Sequence, residues 1–248
     1  MGPPRAADCG VALAPLTPDA YLQHLGRAGD AFAACLGAGD LDAPVPACPG
    51  WTLTDLAHHL GGVHRWARTA VVEGRPGPET VDGPTDRETL VGWFRDGAAA
   101  LVDTLRTTDP TTPCWTFGPK PRVAAFWVRR QTHETVLHTV DASESQGTVT
   151  SLDPALALDG VDEVVTMFFP RQLRLGRTAP LPATLGLAPT EGGHWVLGGD
   201  GDLDATVSGP AAAVLLLLWH RIGLDDPRLT VAGSRAAADA VLAASLTP

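Results

Sequence analysis

Four stretches of about twenty residues within the first 145 positions carry apolar side chains at three- and four-residue steps, separated by segments rich in Pro, Gly and Asp. That repeated helical period limits the fold more than any other feature of the chain. The first stretch opens on Thr17-Pro18, a capping hydroxyl followed by proline at the first helical position, and places Tyr21, Leu22, Leu25, Ala28, Phe32 and Leu36 on one face. The second, CPGWTLTDLAHHL, offers Thr52 as N-cap, Asp55 to complete a capping box, and Trp51 with Leu56 as a hydrophobic staple, predicting a helix from about Leu53 to about Val72. The third has Leu90, Trp93, Phe94, Leu101 and Leu105 as its stripe and ends before Pro110; the fourth runs from about Pro121 to about Ser143. Four such helices predict an antiparallel bundle.

After SQGTVTS at 145–151 the texture changes. A helical stretch, DPALALDGVDEVVTMFFPRQL, is followed by short candidate strands near Ala183–Leu187, His194–Leu197 and Asp204–Val207, split by glycine-rich turns. A helix from Gly209-Pro210, a strand near Leu229–Val231 and an alanine-rich terminal helix complete it. The expected fold is mainly α: a bundle over residues 1–150, then a small α+β domain over 151–248.

Several function classes are disfavoured. Acidic residues outnumber basic ones 28 to 18, for a formal charge of −10, and no basic run exists, which argues against nucleic acid or an anionic membrane as partner. The longest apolar run, AAAVLLLLW at 211–219, is too short to cross a bilayer, and the N-terminus lacks the apolar core of a secretion signal, so a cytoplasmic location is expected. Cys9, Cys35, Cys48 and Cys114 form no C-x-x-C pair and read as reduced thiols, without a thiolate zinc site or a disulfide framework.

The stretch RRQTHETVLHTVDA in the fourth helix carries the chemistry. At 100° per residue, Glu134 and His138 lie about 40° apart, whereas His133 is about 140° from His138, so one ion does not easily take both histidines. The face of Glu134 and His138 also carries Val123, Phe126, Trp127 and Leu137, while Arg129, Thr132, Thr135 and Thr139 are expected to point away. A buried carboxylate needs a compensating partner, either Arg130 or a metal ion. On the second helix His59 lies among Leu56, Leu60, Val63 and Ala67, and His58 is expected to point out with Gly62, Arg65 and Thr69. An inward His59 can meet Glu134 and His138 across the bundle.

CPGWTLTDLAHHLGGVHRWA, followed about 70 residues later by RRQTHETVLHTVDA, resembles the mycothiol-dependent maleylpyruvate isomerase family, whose N-terminal domain is a DinB-like four-helix bundle. SGPAAAVLLLLWHRIGLDDPRLTVAGSR is similar to that family's small C-terminal domain. The resemblance implies His59, Glu134 and His138 as ligands of a divalent metal, expected to be zinc, with His133 a flanking residue. It also implies an arginine near the substrate, for which Arg221 and Arg235 are the candidates. Where such proteins read R-W-D-A after the second histidine, this chain has Thr139-Val140-Asp141-Ala142, which bears on substrate identity.

Two imidazoles and one carboxylate leave an open position on an ion, the arrangement of a catalytic site. A thiol placed there loses its proton, and the family implies that the thiol is mycothiol of actinobacteria. The expected activity is a cis–trans isomerisation: the thiolate adds to a double bond conjugated to a carbonyl, the new single bond rotates, and elimination returns the trans isomer while an arginine holds a substrate carboxylate. Permanent transfer to an electrophile, as in a mycothiol S-transferase, hydrolysis by a metal-bound water, and a noncatalytic ligand-binding bundle are the alternatives. The expected partners are the small-molecule substrate and the low-molecular-weight thiol, for a monomer or homodimer.

Overall fold

The caps legible in the sequence start the helices. In the structure, a computed structural model that describes residues 16–77, 82–199 and 201–248, Thr17 accepts from the Ala20 N–H and Pro18 opens α1, Pro18–Ala38. Thr52 and Asp55 form the reciprocal capping box of α2, Leu53–Glu73, which stops at Gly74 in the left-handed region. Asp86 caps α3, Arg87–Thr107, and α4 spans Ala124–Ser145. These helices lie in one compact unit, residues 16–152; residues 153–248 lie in a second. Residues 1–15, with Cys9 and the stretch read as lacking a secretion signal, fall outside the described residues. No helix among the described residues is long and apolar enough to cross a membrane.

Side-chain pairings fix the helix directions. Thr132 and Thr139 of α4 donate to the Tyr21 and Ala28 carbonyls of α1, a matched advance of seven residues, so α1 and α4 are parallel. Gly61 faces Trp93 and Gly97 faces Arg65, making α2 and α3 parallel as well. His59 meets Glu134 while Trp66 meets Trp127, so α2 and α4 are antiparallel; Gly29 faces Ala98 while Phe32 stacks on Phe94, so α1 and α3 are too. The expected all-antiparallel bundle is thereby corrected to an up-down-down-up arrangement. The α2–α3 connection explains it: its 13 residues, 74–86, reach up to ~43 Å when extended, enough to return along a helix of about 32 Å.

Two apolar clusters fill the bundle. One joins Leu22, Leu25, Ala67, Val71, Leu101, Leu105 and Trp127; the other joins Phe32, Leu36, Leu53, Leu56, Leu60, Leu90 and Phe94. Along α2 and α4 a polar belt lies between them, containing His64, Arg130, Glu134 and His138. Helix α4 is buried on more than one side: Thr132, Thr135 and Thr139, expected to point away, are buried and satisfied by hydrogen bonds. His58 does not point into solvent either, because its Nε2 lies 2.9 Å from the Pro84 carbonyl oxygen and its ring meets Trp93 edge-on. The α2–α3 contact is close enough that a Cβ at Gly61 would clash with the edge of the Trp93 ring, against Cζ3 and Cη2. Gly61→Ala should therefore destabilise by about 1–3 kcal/mol, read from the denaturant midpoint; an unchanged midpoint would show that Trp93 moves aside freely.

In the second unit α5, Pro154–Glu163, runs through a π-helical turn, Val164–Phe168, into α6, Phe169–Arg174. The widened turn comes just before Pro170, which has no N–H to donate to a preceding carbonyl. The strands are β1, Leu185–Pro189; β2, Trp195–Leu197; β3, Ala205–Gly209; and β4, Thr230–Gly233. They form one sheet in the order β2-β1-β3-β4, parallel only between β1 and β3. Helices α7, Ala211–Leu218, and α8, Arg235–Leu242, pack on this sheet. The apolar run at 211–219 is thus a core helix: every α7 residue except Ala212 is buried.

Candidate metal centre

Helix periodicity brings His59 of α2 against Glu134 and His138 of α4. The Glu134 Oε1 lies 3.3 Å from Nε2 of His59 and 3.3 Å from Nε2 of His138, and the three donor atoms all fall within 4.8 Å of one another. Two ligands about 2.05 Å from a tetrahedral zinc ion stand about 3.3 Å apart. The donor set therefore fits a divalent cation in both ligand type and spacing. The rings of His59 and His138 meet edge-on at 5.1 Å, and Trp51 flanks His59 at 4.9 Å.

Two of the three donors are oriented by a neighbour. Arg130, 2% exposed, donates from Nη2 to Glu134 Oε2 at 2.9 Å, turning Oε1 toward the histidines. Arg130 and a metal, set out in the sequence as alternative partners for the carboxylate, thus address different oxygens. The Nδ1 of His138 bonds Asp141 Oδ2 at 2.8 Å, and Asp141 is fully buried. This is how a metal-binding imidazole is usually held, with the second nitrogen on a carboxylate and Nε2 left for the ion. Asp141 is the acidic residue that the Thr139–Ala142 stretch keeps. Asp141→Asn should weaken ion binding about 10–100-fold, measured by competition with a chromophoric chelator; unchanged affinity would show that Asp141 does not orient His138.

The charges follow the contacts. Burial works against the Glu134 carboxylate, but hydrogen bonds from His138 and His59 and the charge of Arg130 outweigh it, holding its pKa well below the usual carboxylate range. Burial likewise works against the His138 imidazolium, yet the hydrogen bonds to Asp141 and Glu134 prevail and raise its pKa to about 9. Burial takes His64 the other way, to about 3, against the opposing pull of Glu134. His64 is therefore a neutral imidazole, with Nε2 2.8 Å from Thr135 Oγ1 and tying α2 to α4 beside the cluster.

The other candidates lie elsewhere. His133 is buried edge-on to Tyr21 of α1, and is absent from the donor cluster. Arg221 and Arg235 belong to the second unit. Arg221 follows α7 through a Schellman turn, with its N–H on the Leu216 carbonyl and the His220 N–H on that of Leu217, and its guanidinium donates to the Trp219 carbonyl. Arg235 is bound by Asp239 and by Asp225, the latter at 3.0 Å. His64 and Cys48 are neighbours of the cluster that sequence reasoning missed. His64 continues the Leu60–Ala67–Val71 stripe at helical spacing, a signal available in the sequence; nothing periodic places Cys48.

The class of protein is thus a four-helix bundle carrying a His/Glu/His donor set, followed along the chain by a small α+β unit. Residues 22–143 match the mycothiol maleylpyruvate isomerase N-terminal domain family and residues 155–240 match the corresponding C-terminal domain family. The chain belongs to the mycothiol-dependent maleylpyruvate isomerase family. An uncharacterised Mycobacterium tuberculosis protein, found in strains CDC 1551 / Oshkosh and H37Rv, is 27% identical over 140 residues, covering 54% of this chain and 71% of its own length. The crystal structure of the mycothiol-dependent maleylpyruvate isomerase shares the fold with a TM-score of 0.63 at 16% identity, covering 88% of this chain and 93% of that one. A histidine-to-alanine mutant of that enzyme gives a TM-score of 0.61 at 17% identity, with the same coverage.

Proposed function

We propose that the protein is a metal- and mycothiol-dependent isomerase that converts a cis-unsaturated, carbonyl-conjugated acid to its trans isomer. The observation that carries this reading is the 3.3 Å spacing of Glu134 Oε1 from both imidazoles, in a chain of this family. His59, Glu134 and His138 would hold the ion, expected to be zinc, and Asp141 and Arg130 orient two of them. A divalent cation bound there supplies the positive charge that favours a thiolate over a thiol at neutral pH. With its side chain 35% exposed, His59 gives the cluster its open side, where Trp51 provides an apolar wall. Arg221 and Arg235 stay the candidates that the family resemblance implies for a substrate carboxylate.

The test is to incubate zinc-loaded protein with mycothiol and maleylpyruvate and follow the trans product. Conversion that needs both thiol and ion supports the proposal. A stable mycothiol conjugate with an electrophile, and no isomerisation, would make the protein an S-transferase. Turnover of a hydrolysable substrate without any thiol would make it a hydrolase, and ion binding without either chemistry would leave a noncatalytic bundle.

A further inference from the structure

A second donor set lies beside the first and shares only one residue with it. Cys48, His138 and Asp141 offer one donor atom each, all within 4.8 Å of one another. None of the three is a surface group: Asp141 is fully buried, the His138 side chain is 12% exposed, and Cys48 packs against the apolar cluster around Phe32 and Leu53. The loop that carries Cys48 is pinned. Val45 and Trp51 pair across it, the Cys48 N–H bonds the Val45 carbonyl, and the Trp51 N–H bonds the Cys48 carbonyl.

The geometry points to a second, thiolate-containing cation site formed by Cys48, Asp141 and His138, suited to a thiophilic dication. His138 presents Nε2 to Glu134 and Nδ1 to Asp141, so its two nitrogens face the two donor sets. Thiolate sulfur, imidazole nitrogen and carboxylate oxygen together favour zinc-like, soft ions over magnesium or calcium, which prefer all-oxygen shells. Binding is an exchange: the Cys48 S–H and the His138 Nδ1–H release their protons to solvent as bonds to the ion form. No oxidant or reductant takes part. The site shares His138 with the first centre but takes its other two donors from outside it, and it does not depend on the isomerase reading.

Cadmium is the probe, because a cadmium–thiolate bond absorbs in the ultraviolet. Titrating metal-free protein should show two bound equivalents, one of them raising that absorbance. Cys48→Ser should lose the absorbance and one equivalent while keeping the other; His59→Ala should keep the absorbance. Cys48→Ala is run in parallel, and blocking the Cys48 thiol of folded wild-type protein by alkylation should give the same loss if either variant misfolds. Absorbance that survives in Cys48→Ser, or that never develops in the wild type, overturns the second site. A single equivalent without thiolate absorbance, abolished by His59→Ala, would overturn it while leaving the first centre intact; no bound ion at all would sink both.

Discussion

Glu134→Ala is expected to abolish ion binding at the His59–Glu134–His138 centre and to cost about 3–5 kcal/mol of stability, because it strips a buried cation of its carboxylate. Arg130 is 2% exposed and donates to Glu134 at 2.9 Å; without that oxygen the guanidinium keeps its desolvation penalty and loses the opposing charge. Glu134→Gln retains an acceptor for Arg130, so it should destabilise less while still lacking the anionic ligand. His59→Ala separates the two effects from the other side. That side chain is 35% exposed, so its loss should cost under about 1 kcal/mol and still remove one of three ion ligands. Elemental analysis and denaturant titration of the three variants, beside wild type, decide the matter. Because Cys48 could hold an ion of its own, the comparison is made in a Cys48→Ser background; retention there of a full equivalent of ion by Glu134→Ala or His59→Ala would refute the assignment of that residue as a ligand.

This contrast shows how far the sequence reaches. His59 and Glu134 are legible because each interrupts an apolar stripe at helical spacing, and a helix bears its faces at fixed angles whatever it packs against. The same rule misplaces Thr132, Thr135 and Thr139. Two of these hydroxyls bond their own helix four residues back, Thr132 to Val128 and Thr139 to Thr135, so they enter the interior at little polar cost and α4 can be covered by α1 and α2 together. Polarity alone does not reveal that. Cys48 lies outside periodic structure, in a loop pinned by its own Val45–Trp51 pairing, and no helical or strand repeat says which face of α4 that loop meets. Helix direction escapes the sequence for a different reason: short connections force neighbouring helices antiparallel, but the 13 residues after α2 allow a parallel return.

The second large effect is on pH. In the metal-free protein His138 is raised to about 9, so at neutral pH it is protonated and donates to Asp141 from Nδ1 while Nε2 faces Glu134. An ion can take Nε2 only after that proton leaves. Apparent affinity at the His59–Glu134–His138 centre should therefore rise about tenfold per pH unit below about pH 9, with close to one proton released per ion bound there, measured on Cys48→Ser protein by titration in buffers of differing ionisation enthalpy. Stability of the metal-free protein should move the opposite way. A folded pKa above the unfolded value of about 6.5 contributes stability that is fully present below pH 6.5 and is lost as pH rises through about 9. At fixed free zinc the tightening affinity offsets that loss, so the melting temperatures of metal-free and zinc-loaded protein should diverge between pH 6.5 and 9. Parallel profiles across that window would mean that the ion does not compete for the His138 proton, and would remove His138 from the centre.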